Sequence, residues 1–356
     1  MPGNSRSRIT AALLIMIMLA GFGGWLGGAS LSPRGEAQDA NYFHIGAASA
    51  GGVYFSVGEA LAVLISRPPG AESCDATNPC GVTGLVGIAE VSDGSVGNLV
   101  AVNNGQIQSA LAQADLVYGM VRGVTPLGRG ERLRSVRAIA NLYPEDFHFL
   151  VNVESGISGF SGIKGKRISL GREGSGSRAT AMMVLKSYGL SLEDVNIVQE
   201  DPGRSADMLA AGQLDAMLYV GGYPALGLMD AFAAGKVRLL PLNDAVIEQM
   251  LKLNRSLHAS VIPAGAYAGL TENVPTIAVN AQWIVNSAVD EETIYQITRA
   301  LWDERNHTIL LAGHPQAARI KPETALQDIT IPLHPGALRY YREEGLLPAA
   351  GPVMSR

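Results

Sequence analysis

Residues 166–187 read KRISLGREGSGSRATAMMVLKS. The stretch predicts a short strand, Arg167–Leu170, a loop holding Gly171, Gly174 and Gly176, and a helix that stops at Tyr188-Gly189. Ser175 or Ser177 can cap that helix, and the glycines let backbone N–H groups turn toward one point at the positive end of the helix dipole. Arg172 and Arg178 flank the loop. The local chemistry is that of an anion seat, for a carboxylate or phosphate held mainly by backbone donors.

Working outward, the same order of strand, Gly/Ser loop and helix occurs twice before it. Strand Asn41–Ile45 meets Gly51-Gly52 and a helix over Val53–Ser66, with Tyr54 and Ser56 in its first turn. Strand Leu85–Val91 meets Ser92-Asp93-Gly94-Ser95 and a helix ending at Asn104-Gly105. The phrase GQIQSAL at 105–111 is then echoed by GQLDAML at 212–218, each as a helix stop, a turn and a buried strand. Repetition on this scale predicts two similar α/β lobes facing each other, with ligand at the carboxyl ends of the strands. Val136–Leu142 is expected as one strand and His148–Val153 as a second, on which the chain crosses lobes. In the second lobe a helix is expected over Ser205–Ala211, a strand over Leu214–Val220, a loop at Gly221–Pro224 and a helix over Ala225–Ala234. Strand Arg238–Pro241 follows, Thr276–Ser287 returns to the first lobe, and helices cover Glu291–Leu311 and Pro335–Gly345. The domain expectation is an export segment at 1–37, lobe 1 from 38–147, lobe 2 from 148–262, and a return to lobe 1 over 263–356.

At 356 residues the chain is long enough for two domains with separate cores. Its 47% hydrophobic and 17% charged residues fit a folded α/β protein and exclude a disordered one. A net charge of −5 leaves no basic field, so nucleic acid is not expected as a partner. Arg6 and Arg8 precede an apolar run, Ile9–Gly28, and Gly35-Glu36-Ala37 offers small residues for a signal peptidase. Cleavage near Gln38 is favoured over a retained anchor, and either outcome exports the body to the periplasm. There Cys74 and Cys80, the two cysteines, are expected to close a small disulfide loop.

No catalytic set stands out. Gly174–Ala179 fits G-x-G-x-x-A, but a lone match in the second βα unit of an exported chain is weak support for a dinucleotide. Ser161-Gly162-Ile163-Lys164 fits S-x-x-K without its companion motifs. The six histidines are scattered without metal spacing, and no nucleophile elbow is present. The expectation is binding without chemistry: no enzyme activity, no cofactor and no metal.

With the loops laid out, the chain resembles the solute receptors of tripartite ATP-independent periplasmic (TRAP) transporters, in the TAXI branch. The resemblance runs from Ile45 to Leu346. Its carriers are Gly46–Ala62 (GxxxAGGVYFxVGxALA), Gly94–Leu99 (GSVGNL), Ala112–Tyr118 (AQADLVY), Ser155–Ala181, Gly212–Pro224 (GQLDAMLYVGGYP) and Ile331–Leu346 (IPLHPGALRYYREEGL). The resemblance implies a type II periplasmic-binding-protein fold, two α/β lobes hinged over a small carboxylate such as glutamate, and delivery to TRAP membrane permease subunits. It implies a ligand cleft lined by Gly52, Tyr54, Ser56, Ser95, Asn98, Gln113, Asp115, Ser175, Gly176, Ser177, Gly222 and Tyr223. In that cleft Tyr54 and Tyr223 would pack the organic part, Gln113 and Asn98 would orient it, and Asp115 would meet any ammonium group. Ser177 stands where the family usually has Thr. An exported enzyme acting on a small carboxylate, or a ligand sensor for a membrane kinase, would use the same cleft.

Overall fold

The computed structural model describes residues 40–74, 80–125 and 128–347, all within the unit Gln38–Arg356. The export segment expected over 1–37 lies outside the described residues. Among those residues no helix is long and apolar enough to cross a membrane.

Strand β1 (Asn41–Gly46) buries Phe43 and Ile45 at alternate positions and leads to helix α1 (Val53–Ile65). The two-residue strands β2 (Ser66–Arg67) and β3 (Val82–Thr83) precede β4 (Leu85–Glu90), which pairs parallel with β1. Helix α2 (Ser95–Asn103) leads to β5 (Ser109–Gln113), parallel to β1 on its other side, and α3 (Ala114–Val121). The hairpin β6 (Val124–Thr125) and β7 (Gly128–Arg129) then precedes the 17-residue β8 (Val136–Asn152).

The second lobe holds β9 (Arg167–Ser169), α4 (Gly176–Ser187), β10 (Asn196–Val198), α5 (Pro202–Ala210) and β11 (Ala216–Gly221). It continues with α6 (Leu226–Ala233), β12 (Val237–Leu240), α7 (Asp244–Leu253) and β13 (Leu257–Ile262). The chain returns on β14 (Val274–Asn286) and ends with α8 (Glu291–Trp302), α9 (His307–Gly313) and α10 (Pro335–Glu343).

One sheet runs β10-β9-β11-β8-β14-β5-β1-β4-β2-β3, with β12 also on β8 and β13 on β14. It is continuous because β8 and β14 serve both lobes. Residues 281–285 of β14 face β5, whereas 274–279 face β13; on β8, 146–151 face β11. The crossing point is therefore Glu145 and Asp146, opposite Val279 and Ala278. Strand alternation separates two cores there. Phe147, Phe149 and Val151 pack with Val184 of α4 and Ile247 of α7, while Leu150 joins Met217, Tyr219 and the apolar sides of α5 and α6 in the larger core.

The fold class read from the sequence, two α/β lobes of the periplasmic-binding-protein kind, is the one the chain adopts. Several element bounds differ. The two strands expected at 136–142 and 148–153 are one, since Pro144 does not interrupt the ladder. Pro144 lies opposite Asn280, beside a register shift between Ala281 and Gln282, where a missing N–H breaks nothing further. The helix expected over Glu291–Leu311 is two, because Asp303 accepts from the Arg305 amide and caps a new turn. The helix expected from Ser205 begins at Pro202, a position that suits proline. Helix α7 and strand β13 have no counterpart in the expectations.

The repeated phrase has a shared geometry. Gly105 (φ +69°) and Gly212 (φ +72°) both take the left-handed conformation that ends a helix, and a fully buried strand follows each. Cys74 and Cys80 form a disulfide, and the Cys80 amide donates to Asn306 Oδ1 at 2.8 Å.

At the crossing point His148 lies buried in a hydrogen-bond chain. The Ala225 amide donates to the Tyr267 oxygen (3.1 Å), Tyr267 donates to His148 Nε2 (2.9 Å), and Nδ1–H donates to the Asp146 carbonyl (2.8 Å). Burial lowers the His148 pKa from 6.5 to about 4. The unfolded state thus binds more protons between those values, and stability falls as pH falls through them. We expect the wild type to lose at most about 3 kcal/mol relative to His148→Gln on going from neutral pH to about pH 4. Denaturant titrations at both pH values check this; parallel losses in the two proteins would contradict it.

Candidate functional site

Four helix N-termini meet at one cavity of about 70 Å³. Gly52 and Val53 bring the start of α1, Gly94 and Ser95 that of α2, Ser175 and Gly176 that of α4, and Asp201 and Pro202 that of α5. The sequence enforces this convergence, because each strand of the βα units ends at the same sheet edge and each loop turns straight into a helix. Each N-terminus carries roughly half a positive charge and orphan amide donors. At about 10–15 Å³ per water position the cavity holds on the order of five waters, a volume suited to a small metabolite.

The α4 loop supplies the clearest donors. The Gly176 and Ser177 amides have no acceptor among the described residues, and both residues line the cavity. The two serine hydroxyls, by contrast, serve the fold. Ser175 Oγ accepts from the Arg178 amide (3.2 Å) and donates to the Arg172 carbonyl (2.8 Å). Ser177 Oγ accepts from the Val220 amide at 3.0 Å, fixing α4 to β11. We expect Ser177→Ala to cost about 1–2 kcal/mol of stability, because Val220 N–H is left without its acceptor, and to weaken solute binding only about threefold. Denaturation and calorimetry of the variant check this; a large affinity loss at unchanged stability would mean that the hydroxyl touches the solute.

Seven of the twelve residues named from the sequence line this cavity: Gly52, Tyr54, Ser95, Gln113, Ser175, Gly176 and Ser177. The other five do not. Ser56 lies one turn into α1, where its carbonyl packs toward Gly313 of α9. Asn98 is fully buried and ties two strands, donating to the Gly46 carbonyl (3.1 Å) and the Leu111 carbonyl (2.8 Å). Asp115 caps its own helix start, with Oδ1 accepting from the Leu116 amide, and burial pushes its carboxyl up to about 6. Gly222 and Tyr223 pack on Gln316, whose Nε2 donates to the Tyr223 carbonyl at 2.8 Å.

The two sides of the cavity touch. Val96 and Gly97 amides of α2 donate to the Gly174 carbonyl (3.0 and 3.3 Å), and Gln113 lies against Gly176. Gln113 is itself held by its amide on Ser95 Oγ (3.2 Å) and by Thr180 Oγ1 donating to its Oε1 (3.4 Å). At the mouth Arg172 stands between Asp93 (3.9 Å) and Asp201 (3.5 Å), pairs long and exposed enough to add little stability.

The sequence reading missed Glu145. It lines the cavity at 3% exposure, and Tyr54 O–H donates to its Oε2 at 2.7 Å. Burial raises the Glu145 pKa well above the usual carboxylate range; the Tyr54 bond lowers it, and Asp115 and Asp146 raise it further. Burial, followed by the nearby Glu145 charge, likewise raises the Tyr54 hydroxyl. The adjacent acids Glu145-Asp146, set between apolar runs, were the available signal, masked by the neighbouring Pro144. Asp93, Glu200 and Asp201 also line the cavity.

The sequence profile of the NMT1-like family matches residues 45–345, nearly the whole described chain. The chain belongs to the NMT1-like family. Among solved structures, the periplasmic binding protein BugD superposes on this NMT1-like chain with a TM-score of 0.50 at 13% identity, covering 86% of it and 93% of BugD. MatC from Rhodopseudomonas palustris, solved with bound malate, gives 0.49 at 15% identity over 77% of this chain and 88% of its own. The alkanesulfonate-binding protein SsuA from Xanthomonas axonopodis pv. citri, bound to MOPS, gives 0.43 at 17% identity over 87% and 95%. At these identities the likeness is one of fold.

Proposed function

We propose that the chain is an exported, periplasmic solute-binding protein of a TAXI-type TRAP transporter. It captures a small carboxylate, such as glutamate or a related organic acid, and delivers it to membrane permease subunits. The observation that carries this reading is the convergence of helix N-termini on one cavity, with the Gly176 and Ser177 amides unpaired there. Backbone donors suit carriage of an anion, since they hold charge without reacting with it. The NMT1-like profile over 45–345 and the fold shared with BugD support a binding protein. Lobe closure would turn about the crossing strands, at Glu145–Asp146 and Asn280–Ala281.

The test is thermal unfolding of the purified protein against a panel of amino acids, dicarboxylates and 2-oxo acids. A solute at a hundred times its dissociation constant adds roughly 2.7 kcal/mol, and each kcal/mol raises the midpoint by about 2–4 °C. A rise with one acid and no product formed is the expected result. Turnover of that acid would replace this reading with an enzyme, and no rise with any acid would contradict it.

A further inference from the structure

We infer that Glu145 is the proton-bearing, specificity-determining residue of the cavity: it is protonated in the solute complex and donates a hydrogen bond to the captured carboxylate, so that capture takes up a proton at alkaline pH, where the unliganded residue is ionised. The inference rests on the carboxylate reading above.

The geometry leaves few alternatives. Glu145 sits at the lobe crossing, is 3% exposed, and faces the same cavity as the free amides of α4. Tyr54 from α1 donates to Oε2, while Oε1 has no hydrogen-bond partner among the described residues. The other groups acting on it are carboxyls and hydroxyls: Asp115 at the start of α3, Asp146 beside it on β8, and the hydroxyls of Tyr143 on β8 and Tyr219 on β11. Ser95 on α2 reaches it only through Tyr54, at 3.5 Å. Among the described residues no Lys or Arg pairs with it; Arg319 acts on the neighbouring Asp146. Among the described residues the one cation lining the cavity, Arg172, stands half-exposed between Asp93 and Asp201.

An incoming carboxylate therefore meets either a carboxylate or a carboxylic acid. Two negative charges about 4 Å apart repel by about 4 kcal/mol even at an effective dielectric of 20, nearly three decades of affinity. Protonation removes that repulsion and turns Oε1 into a donor. Burial already favours the acid form. The balance is simple: ionised Glu145, one proton from the buffer and one carboxylate give the acid hydrogen-bonded to the carboxylate, and release of the solute returns the proton. Affinity is then constant below the pKa that Glu145 has in the unliganded cleft and falls up to tenfold per pH unit above it.

The experiment is titration calorimetry of the full chain with L-glutamate and with 2-oxoglutarate between about pH 5 and pH 9. It is run in two amine buffers of different ionisation enthalpy, triethanolamine and Tris, neither of which is an anion. We expect wild type to take up as much as one proton per solute at the alkaline end and to lose affinity there, while Glu145→Gln, permanently neutral, takes up none and has a flat pH profile. Tyr54→Phe removes the bond that favours the ionised form, so its loss of affinity should begin at higher pH; that shift carries the test if Glu145→Gln fails to fold. Binding without proton uptake in wild type would overturn the inference and leave the carboxylate reading standing. Loss of L-glutamate alone in Glu145→Gln, with 2-oxoglutarate retained, would also overturn it, making Glu145 the ionised partner of an ammonium. No binding of either acid at any pH would remove the carboxylate reading, and the inference with it.

Discussion

Gly176→Val is expected to abolish solute capture while leaving the fold nearly as stable as the wild type. A Cβ at Gly176 would stand 2.5 Å from the Gln113 Cδ and Oε1 and 2.8 Å from Ser95 Oγ. Neither neighbour can yield, since both are 2% exposed and bonded to each other, Gln113 to Thr180 as well. Gly176 belongs to α4, whereas Gln113 and Ser95 belong to the facing lobe, so the added atoms hold the two sides of the cavity apart. The free amides of α4 are then displaced from the solute, and we expect an affinity loss of about a hundredfold or more, some 2.7 kcal/mol. The glycine is helical and not in the left-handed region, so the variant should fold. Calorimetry beside a thermal midpoint checks the claim; wild-type affinity in the variant would contradict the placement of the solute at α4.

Trp283→Ala should have the largest effect on stability, about 3–5 kcal/mol. The indole is fully buried in β14 where that strand runs between β5 and β8, and its Nε1 donates to Ser109 Oγ at 3.1 Å. Loss of the ring leaves a cavity beneath the strands that join the lobes. Trp283→Phe keeps most of the volume and loses only the hydrogen bond, so its cost should be nearer about 1–2 kcal/mol. Urea midpoints of the two variants separate the causes: equal losses would mean that the indole N–H, not the packing, carries the stability.

The βα units were legible because their signals are local. The loop at 171–176 predicts both a helix start and an anion seat, and the repeated GQ-x-x-x-x-L phrase marks two glycines of the same left-handed geometry. What was not legible depended on partners distant in sequence. Ser175 and Ser177 look like ligand donors in isolation, yet Arg172, Arg178 and Val220 engage their hydroxyls. Asn98 looks like a site residue until the Gly46 and Leu111 carbonyls claim its amide. Glu145 is the reverse case. The only local mark is a pair of acids between apolar runs, and its meaning comes from a strand that carries it to where both lobes and Tyr54 meet.

In the proposed binding mode, backbone amides at the start of α4 hold the carboxylate of a solute. The most direct measurement is a two-dimensional NMR titration of the 15N-labelled protein with L-glutamate, following the Gly176 and Ser177 amide signals and comparing them with the heat of binding under the same conditions. Both protons are expected to shift downfield and to saturate at the stoichiometry and affinity found by calorimetry. Heat of binding with both signals unmoved would place the solute elsewhere and contradict it.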